Sequence, residues 1–233
     1  TALKLCDYTI TEAGFGADLG AEKFFNIKCQ KAGLKPDAAV IVATVRALKK
    51  HGGMANDELS IANVDAITAG FDNLMRHIDN ISKFGVPAIV AINRFRSDTD
   101  DEVTEIKNLC NKLNVDAIEC NHWSDGSSGA EKLAHSVVKL VDGTQSQFRT
   151  LYDNSLSLWE KIEQIARDIY GASEVIADKK VRLQIKQYQQ SYGDFPICIA
   201  KTQYSFSTDP KLLGAPSQHV LPIREVRLAA GAE

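Results

Sequence analysis

At 233 residues, with 44% hydrophobic and 24% charged side chains, the chain has the composition of a folded globular protein of one large or two modest domains. Its formal net charge of −3 provides no basic excess for a phosphate backbone, which argues against general nucleic-acid binding. Five cysteines without a C-x-x-C pair argue against a disulfide framework and favour a reducing, cytoplasmic location. No apolar run reaches the ~20 residues that span a membrane.

The first part of the chain predicts alternating strands and helices. A short strand over 8–13 is followed by the Gly14-Phe15-Gly16 turn and a helix over 18–32. The continuous apolar run 38–44 (AAVIVAT) predicts a parallel strand covered on both faces, at the centre of a sheet. Apolar residues then recur at steps of three and four over 64–81, which predicts a long amphipathic helix.

The same alternation continues to residue 143. Strands are predicted over 86–92 (VPAIVAI) and 115–120, and helices over about 103–113 and 130–141. This order predicts an α/β fold with a mostly parallel sheet and flanking helices, similar to P-loop NTPases. Helical patterns at 158–169 and 181–188, then strands near 195–200 and 220–228, predict a smaller α/β C-terminal region.

Polar and aromatic residues follow each predicted strand of the sheet. Because open parallel sheets bind ligands outside the carboxyl ends of their strands, these residues are candidates for a binding site. After the strand 38–44 come Arg46, Lys49 and His51, with two glycines behind them. They predict an anion site, since arginine offers a planar fork of donors and glycine lets backbone amides approach. The alternative is a solvated helix face that ends in an ordinary turn.

Two aromatic residues at adjacent strand ends predict a site for a flat ring. Phe95 follows Asn93, whose amide suits ring recognition, and Trp123 lies in a Ser- and Gly-rich polar stretch. Stacking on each aromatic is worth about 0.5–1.5 kcal/mol beyond its burial. Two alternatives stay open: Phe95 as a core residue at a strand end, and Trp123 as the anchor of its own loop.

The glycine turn offers a second, weaker candidate site. Gly14, Phe15 and Gly16 before a helix can present backbone amides to a phosphate. Three acidic residues, Glu12, Asp18 and Glu22, surround the turn and are candidates for Mg²⁺, although Asp18 equally suits a helix N-terminus. Cys120 and His122 are too few ligands for zinc, so no metal is assigned.

Five segments together resemble one enzyme family, the formate–tetrahydrofolate ligases. Residues 42–53 (VATVRALKKHGG) resemble the signature segment of that family, and twelve residues in order are highly specific. Residues 11–24 and 84–95 resemble its glycine-turn segment and its folate-side strand, and residues 200–207 and 223–227 are also similar. The resemblance extends over the whole chain.

The resemblance implies an activity and a set of roles. Members of this family make formyl phosphate from formate and Mg-ATP, after which N10 of tetrahydrofolate attacks the formyl carbon and gives 10-formyltetrahydrofolate. A monovalent cation, a homo-oligomer and a cytoplasmic location are further expectations, with small molecules as the binding partners. The resemblance implies that Phe95 and Trp123 bind folate and that Gly14, Phe15 and Gly16 bind the nucleotide. From their positions after the strands, Asn93 is added to the folate-binding residues, and anion-binding or structural roles are expected for Arg46, Lys49 and His51.

One departure from the family is predicted to matter. The sequence has no G-x-x-x-x-G-K-[ST] phosphate loop, and it starts with Thr1 rather than Met. We therefore expect a C-terminal portion of a longer ligase, inactive alone, with the phosphate-loop lysine and the formyl-phosphate arginine upstream. The expected domains are 1–95, the rear of a nucleotide-binding α/β domain, and 96–233, an incomplete folate-side α/β domain.

Two other functions compete with this interpretation. One is a different P-loop-type NTPase in which Asn93-Arg94 imitates a guanine-reading motif, although Asp98 lies too far along the chain. The other is a non-catalytic folate-binding or assembly module.

Overall fold

The computed structural model describes residues 1–229 of the chain. The elements of the first part are α1 (Ala2–Leu5), α2 (Gly20–Lys23), α3 (Gln30–Ala32), β1 (Ala39–Ala43), α4 (Val45–His51), α5 (Val64–Lys83), β2 (Ala88–Asn93), α6 (Asp100–Lys112), β3 (Ala117–Cys120), α7 (His122–Asp125) and α8 (Glu131–Gly143). The later elements are α9 (Leu158–Asp168), β4 (Glu174–Ala177), α10 (Lys179–Tyr192) and β5 (Val220–Ile223). The α/β class predicted from the sequence is confirmed.

The main sheet has three parallel strands in the order β1-β2-β3. Ala43 pairs in register with Ile92, and Asn93 pairs with Cys120, so the three strands end at one edge of the sheet. Helix α5 packs against both α4 and α6. The parallel order places the residues that follow each strand side by side.

The prediction that the strand 38–44 is central is wrong, because within residues 1–229 β1 pairs with β2 alone and is an edge strand of this sheet. Val40 is 41% exposed and Val42 is 67% exposed, whereas Val90 and Ile92 of β2 are fully buried. An apolar run shows that a strand is compatible with burial, but the number of its neighbours depends on the other strands.

The N-terminal segment differs from its prediction in one element. Residues 8–13 form no strand and are exposed. The predicted helix is present, but it begins at Gly20 and contains a π-helical stretch, Phe24–Cys29, between α2 and α3. It ends at Gly33, which has a φ of 63°. Glycine adopts this left-handed conformation without the steric penalty of a side chain, which explains the termination.

The C-terminal region contains a second parallel sheet of two strands, β4 and β5. The strand predicted near 195–200 is wrong, since these residues form no strand. The strand predicted over 220–228 is present but shorter, and β4 had no sequence prediction. Residues 230–233, the end of the predicted C-terminal domain, lie outside the described residues.

The two sheets are connected by one hydrophobic core. It contains Phe25 and Ile92 from the first part and Ile165 and Leu221 from the second. The main sheet also combines strands from both sides of residue 95. The division into 1–95 and 96–233 stays a prediction.

Within residues 1–229, no helix combines the length and the hydropathy that a bilayer crossing requires.

Candidate functional site

The candidate site lies at the carboxyl ends of β1, β2 and β3. Arg46 is the second residue of α4, a helix that begins directly after β1 because the Thr44 side chain accepts a hydrogen bond from the Ala47 amide, 3.1 Å away. Phe95 follows β2 by two residues, and Trp123 is the second residue of α7, just after β3. The structure therefore brings together the three strand ends that the sequence predicted.

Phe95 packs against Arg46. The guanidinium carbon of Arg46 lies 5.0 Å from the centre of the Phe95 ring, and one of its nitrogens is 3.4 Å from the Ser97 hydroxyl. A guanidinium over an aromatic ring is attracted by the negative charge of the ring face. The contact holds the Phe95 ring at the surface, where it is half-buried rather than a core residue.

Trp123 has an equivalent arginine partner. Its ring is 54% exposed, and the guanidinium of Arg96 lies 5.3 Å from its centre. The turn that carries it closes on itself, because the Asn121 amide donates to the Gly129 carbonyl at 3.1 Å. Gly129 is needed here, since a Cβ at this position would lie 2.5 Å from the carbonyl carbon of Asn121.

The loop that carries Phe95 and Arg96 is held by hydrogen bonds from its own residues. The buried Asp98 carboxylate accepts from the Phe95 amide at 2.8 Å, and Arg94 donates to the Asp98 carbonyl at 3.1 Å. Arg94 also forms ion pairs with Glu119 and Asp100, both at 2.7 Å. Desolvation opposes ionisation of Glu119, but hydrogen bonds from Arg94 and Lys107 hold its pKa below the usual range. Arg94 is therefore occupied within the protein.

The positive charges of Arg46 and Arg96 are not neutralised in this way. Both side chains belong to exposed residues, and among residues 1–229 neither forms an ion pair. The site thus combines an exposed and a half-buried aromatic ring with two uncompensated guanidinium groups. This combination suits a flat ligand that carries negative charge. Asn93, the last residue of β2, lies beside them and pairs in register with Cys120.

Lys49 and His51, two of the candidates for anion binding, have internal partners. Lys49 is fully buried, and its ammonium lies 2.9 Å from a carboxylate oxygen of Glu102. His51 accepts a hydrogen bond at Nδ1 from the Gly214 amide, 3.1 Å away, and burial together with the nearby Lys50 lowers its pKa. Neither residue is the solvated surface charge of the alternative interpretation, and each has a partner within the protein. Of the three candidates, only Arg46 is exposed.

The glycine turn lies near the other end of α4, because Asp18 beside the turn and His51 at the end of the helix line the same cavity. The helix itself is about 10 Å long. Phe15 is 75% exposed and has a φ of 67°, which is uncommon for a residue other than glycine. At Gly16 a Cβ would lie 2.6 Å from a carboxylate oxygen of Asp18 and 3.9 Å from the His77 ring. The turn therefore rests directly on the polar groups beneath it and presents Phe15 outward.

Behind the turn is a small polar cavity of about 40 Å³, lined by Asp18, His51 and His77 among others. Lys201 forms an ion pair with Asp18 at 2.9 Å, and the Tyr170 hydroxyl donates to the Asp18 carbonyl at 3.2 Å. Burial lowers the pKa of His77 to about 4, so this ring is neutral at physiological pH. The Asp18–Lys201 ion pair thus connects the glycine turn to the segment that carries Lys201.

The three acidic candidates for Mg²⁺ do not fit a metal site. Asp18 is neutralised by Lys201, Glu22 is fully buried against Asn26, and Glu12 is exposed on the segment before the turn. Among residues 1–229 no group of three or more His, Cys, Asp or Glu side chains is placed to hold a metal ion. These three carboxylates are therefore not assigned as metal ligands.

Sequence reasoning missed two residues of the site, Arg96 and Glu102. Nothing in the local pattern separates Arg96 from a surface arginine, because its partner Trp123 lies 27 positions away and is brought near only by the fold. Glu102 had a readable signal, the capping-box spacing of Thr99 and Glu102, in which both reciprocal hydrogen bonds are formed.

Comparisons with known proteins agree on one family. The family model described as formate–tetrahydrofolate ligase matches residues 1–233. The chain is 62% identical over 233 residues to a formate–tetrahydrofolate ligase of Sinorhizobium fredii and 62% identical to one of Rhizobium meliloti. It is 58% identical to the ligase of Granulibacter bethesdensis. Each match covers all of this chain but only 41–42% of the relative, so the chain spans less than half the length of the curated relatives it matches.

Proposed function

Since the chain belongs to the formate–tetrahydrofolate ligase family, we propose that it supplies the folate-binding surface and part of the nucleotide surround of an enzyme that ligates formate to tetrahydrofolate with ATP. In this proposal the folate ring binds at the strand ends around Phe95 and Trp123, and the nucleotide binds near Phe15. The two substrates approach opposite ends of α4.

The observation that carries the folate assignment is the pairing of each aromatic ring at the strand ends with an uncompensated arginine. Phe95 lies against Arg46 and Trp123 against Arg96 at neighbouring strand ends. Tetrahydrofolate has a flat fused ring at one end and carboxylates at the other, so it can use both the aromatic faces and the guanidinium groups. Each ring contact contributes about 0.5–1.5 kcal/mol beyond burial.

The proposed chemistry is phosphoryl transfer followed by acyl transfer. Formate attacks the γ-phosphorus of ATP and gives formyl phosphate and ADP; N10 of tetrahydrofolate then attacks the formyl carbon, phosphate leaves, and N10 loses its proton. Both steps concentrate negative charge, so positioned cations and amides carry most of the catalysis. This chain has no G-x-x-x-x-G-K-[ST] segment, and we assign it no phosphate-binding lysine. Its part is to hold and orient the folate ring.

Mg²⁺, a monovalent cation, a homo-oligomer and a cytoplasmic location belong to the proposal through the family alone, and we assign no residue to them. The rival NTPase function is not favoured, because Arg94 is occupied by Glu119 and Asp100 rather than free to read a base. A non-catalytic module is not favoured either, because the relatives compared are named as ligases.

Replacement of Trp123 tests the folate site. We expect Trp123→Ala to raise the Kd for tetrahydrofolate by about tenfold, the upper end of one lost stacking contact, and to leave the Kd for ATP unchanged. Both constants are measured by isothermal titration calorimetry. Trp159→Ala is the matched control. Trp159 packs against Arg182 and donates a hydrogen bond to Glu163 on α9, away from the strand ends. Equal losses for both ligands, or an equal effect of Trp159→Ala, refute the assignment.

A further inference from the structure

The buried ion pair of Lys49 and Glu102 lies directly beneath the site. Both side chains are fully buried, and the ammonium of Lys49 also donates to the Ile61 carbonyl at 3.0 Å. Desolvation works against ionisation of Glu102, but its hydrogen bonds from Thr99, Lys49 and Asn63 keep its pKa below the usual range. Both members of the pair thus have further hydrogen-bond partners beside each other.

Glu102 connects three helices through four hydrogen bonds. One carboxylate oxygen accepts from Lys49 on α4 and from the amide of Asn63, the residue that caps α5, both at 2.9 Å. The other oxygen accepts from the amide and the hydroxyl of Thr99, the residue that caps α6, at 2.8 and 3.1 Å. A single carboxylate therefore fixes the starts of α5 and α6 against α4.

Two of these elements carry the arginine and the aromatic ring of the site. Lys49 is three residues after Arg46 on α4, and positions three apart lie on the same side of a helix. Thr99 is four residues after Phe95, at the end of the loop that Asp98 holds. The Arg46–Phe95 contact of 5.0 Å is thus made between the two elements that the buried pair joins.

Stability alone does not account for the use of charge here. Apolar side chains of similar volume often replace a buried ion pair with no loss of stability, or with a gain. What an apolar replacement cannot reproduce is the directionality of the four hydrogen bonds, which fixes where each helix begins.

We propose that Lys49 and Glu102 are positioning residues for the folate ring, because their ion pair sets the spacing between Arg46 and Phe95. This role rests on the proposed folate site. Neither side chain touches the ligand; each acts through the surface residues that its helix or loop carries.

The double variant Lys49→Met/Glu102→Gln tests this role without leaving one buried charge unpaired. The matched control is Lys161→Met, because Lys161 is likewise fully buried but donates to the carbonyls of Gly193 and Phe195, at 2.8 and 3.1 Å, in the C-terminal region. The wild type, the double variant and the control all carry Trp159→Phe as a background change, so that Trp123 alone reports tetrahydrofolate binding by fluorescence. The Kd for ATP and the Tm are measured for every variant.

We expect the double variant to raise the Kd for tetrahydrofolate by up to about tenfold with the Kd for ATP unchanged, since a misplaced Phe95 ring loses at most one stacking contact. Lys161→Met should lower the Tm without changing either Kd. Adding Phe95→Ala to the double variant should cost little more, because two changes that act through one contact are not additive.

A second readout does not depend on folate. The Nε proton of Arg46 should show an upfield ring-current shift from Phe95 by NMR, assigned with Arg46→Lys, and the double variant should lose that shift. A folded double variant that keeps the shift, or keeps its affinity for tetrahydrofolate within twofold, overturns the positioning role. Additive effects with Phe95→Ala overturn it as well. A wild-type protein that does not bind tetrahydrofolate refutes the proposed function itself.

Discussion

Glu22 gives the protein a stability that should depend on pH in an unusual direction. Its side chain is fully buried; one carboxylate oxygen accepts from Asn26 at 2.7 Å, and within residues 1–229 the other has no hydrogen-bond partner. Desolvation raises the pKa of Glu22 from 4.5 to about 7, against the opposing hydrogen bond of Asn26, and the nearby Asp18 charge raises it further.

The direction of this pH dependence follows from the number of protons that Glu22 binds in the folded and unfolded states. Between pH 4.5 and about 7 the unfolded chain has released the Glu22 proton while the folded protein keeps it, so the free energy of unfolding falls as the pH rises. The loss is complete above about pH 7. At about 1.4 kcal/mol for each unit of pKa, the difference between 4.5 and about 7 corresponds to about 3 kcal/mol.

Glu22→Gln removes the ionisation and can keep the hydrogen bond to Asn26. We expect the variant to exceed the wild type in free energy of unfolding by up to about 3 kcal/mol at pH 8, and by less than about 1 kcal/mol at pH 5. Urea denaturation followed by far-UV circular dichroism at the two pH values measures both differences. The exposed Glu58→Gln is the control and should change little at either pH. A stabilisation of equal size at pH 5 and pH 8 refutes the reasoning.

Two further predictions concern helix packing and capping. Gly70→Ala should destabilise the protein by about 1–3 kcal/mol in thermal denaturation, because its Cβ would lie 2.0 Å from the Leu48 carbonyl oxygen where α5 crosses α4. Gly143→Ala, whose Cβ would meet nothing within 4 Å, is its control, and equal shifts in Tm contradict the packing argument. Ser157→Ala should cost about 1 kcal/mol in urea denaturation, because it removes the capping box that Ser157 forms with Glu160 at the start of α9. An unchanged urea midpoint would show that this cap contributes nothing.

The sheet was predictable from the sequence because its strands are continuous apolar runs between amphipathic helices. Residues 89–92 are buried on both faces of β2, as that pattern indicates. The position of each strand in the sheet was not predictable in this way. Val40 and Val42 are as apolar as the residues of β2, yet they are exposed because nothing described in residues 1–229 covers that face of the edge strand.

The location of the candidate site was predictable from the sequence. Parallel strands end at one edge, and this rule is enough to place Arg46, Phe95 and Trp123 together from the sequence alone. The partners were not predictable, because they are chosen by the fold. Lys49 resembles its neighbour Lys50 in sequence, but its carboxylate partner lies 53 positions away at Glu102. The folate and nucleotide roles of these residues stay predictions.

The ion pair between Asp18 and Lys201 sets a limit on how early in synthesis the glycine turn can reach its final form. The two residues are 183 positions apart. A ribosome that adds about 5–20 residues per second therefore exposes Asp18 roughly 10 to 40 seconds before it supplies Lys201. During that interval the Asp18 carboxylate keeps its hydration, because burying an unpaired charge is strongly unfavourable. The glycine turn that presents Phe15 can therefore gain this ion pair only after Lys201 has been synthesised.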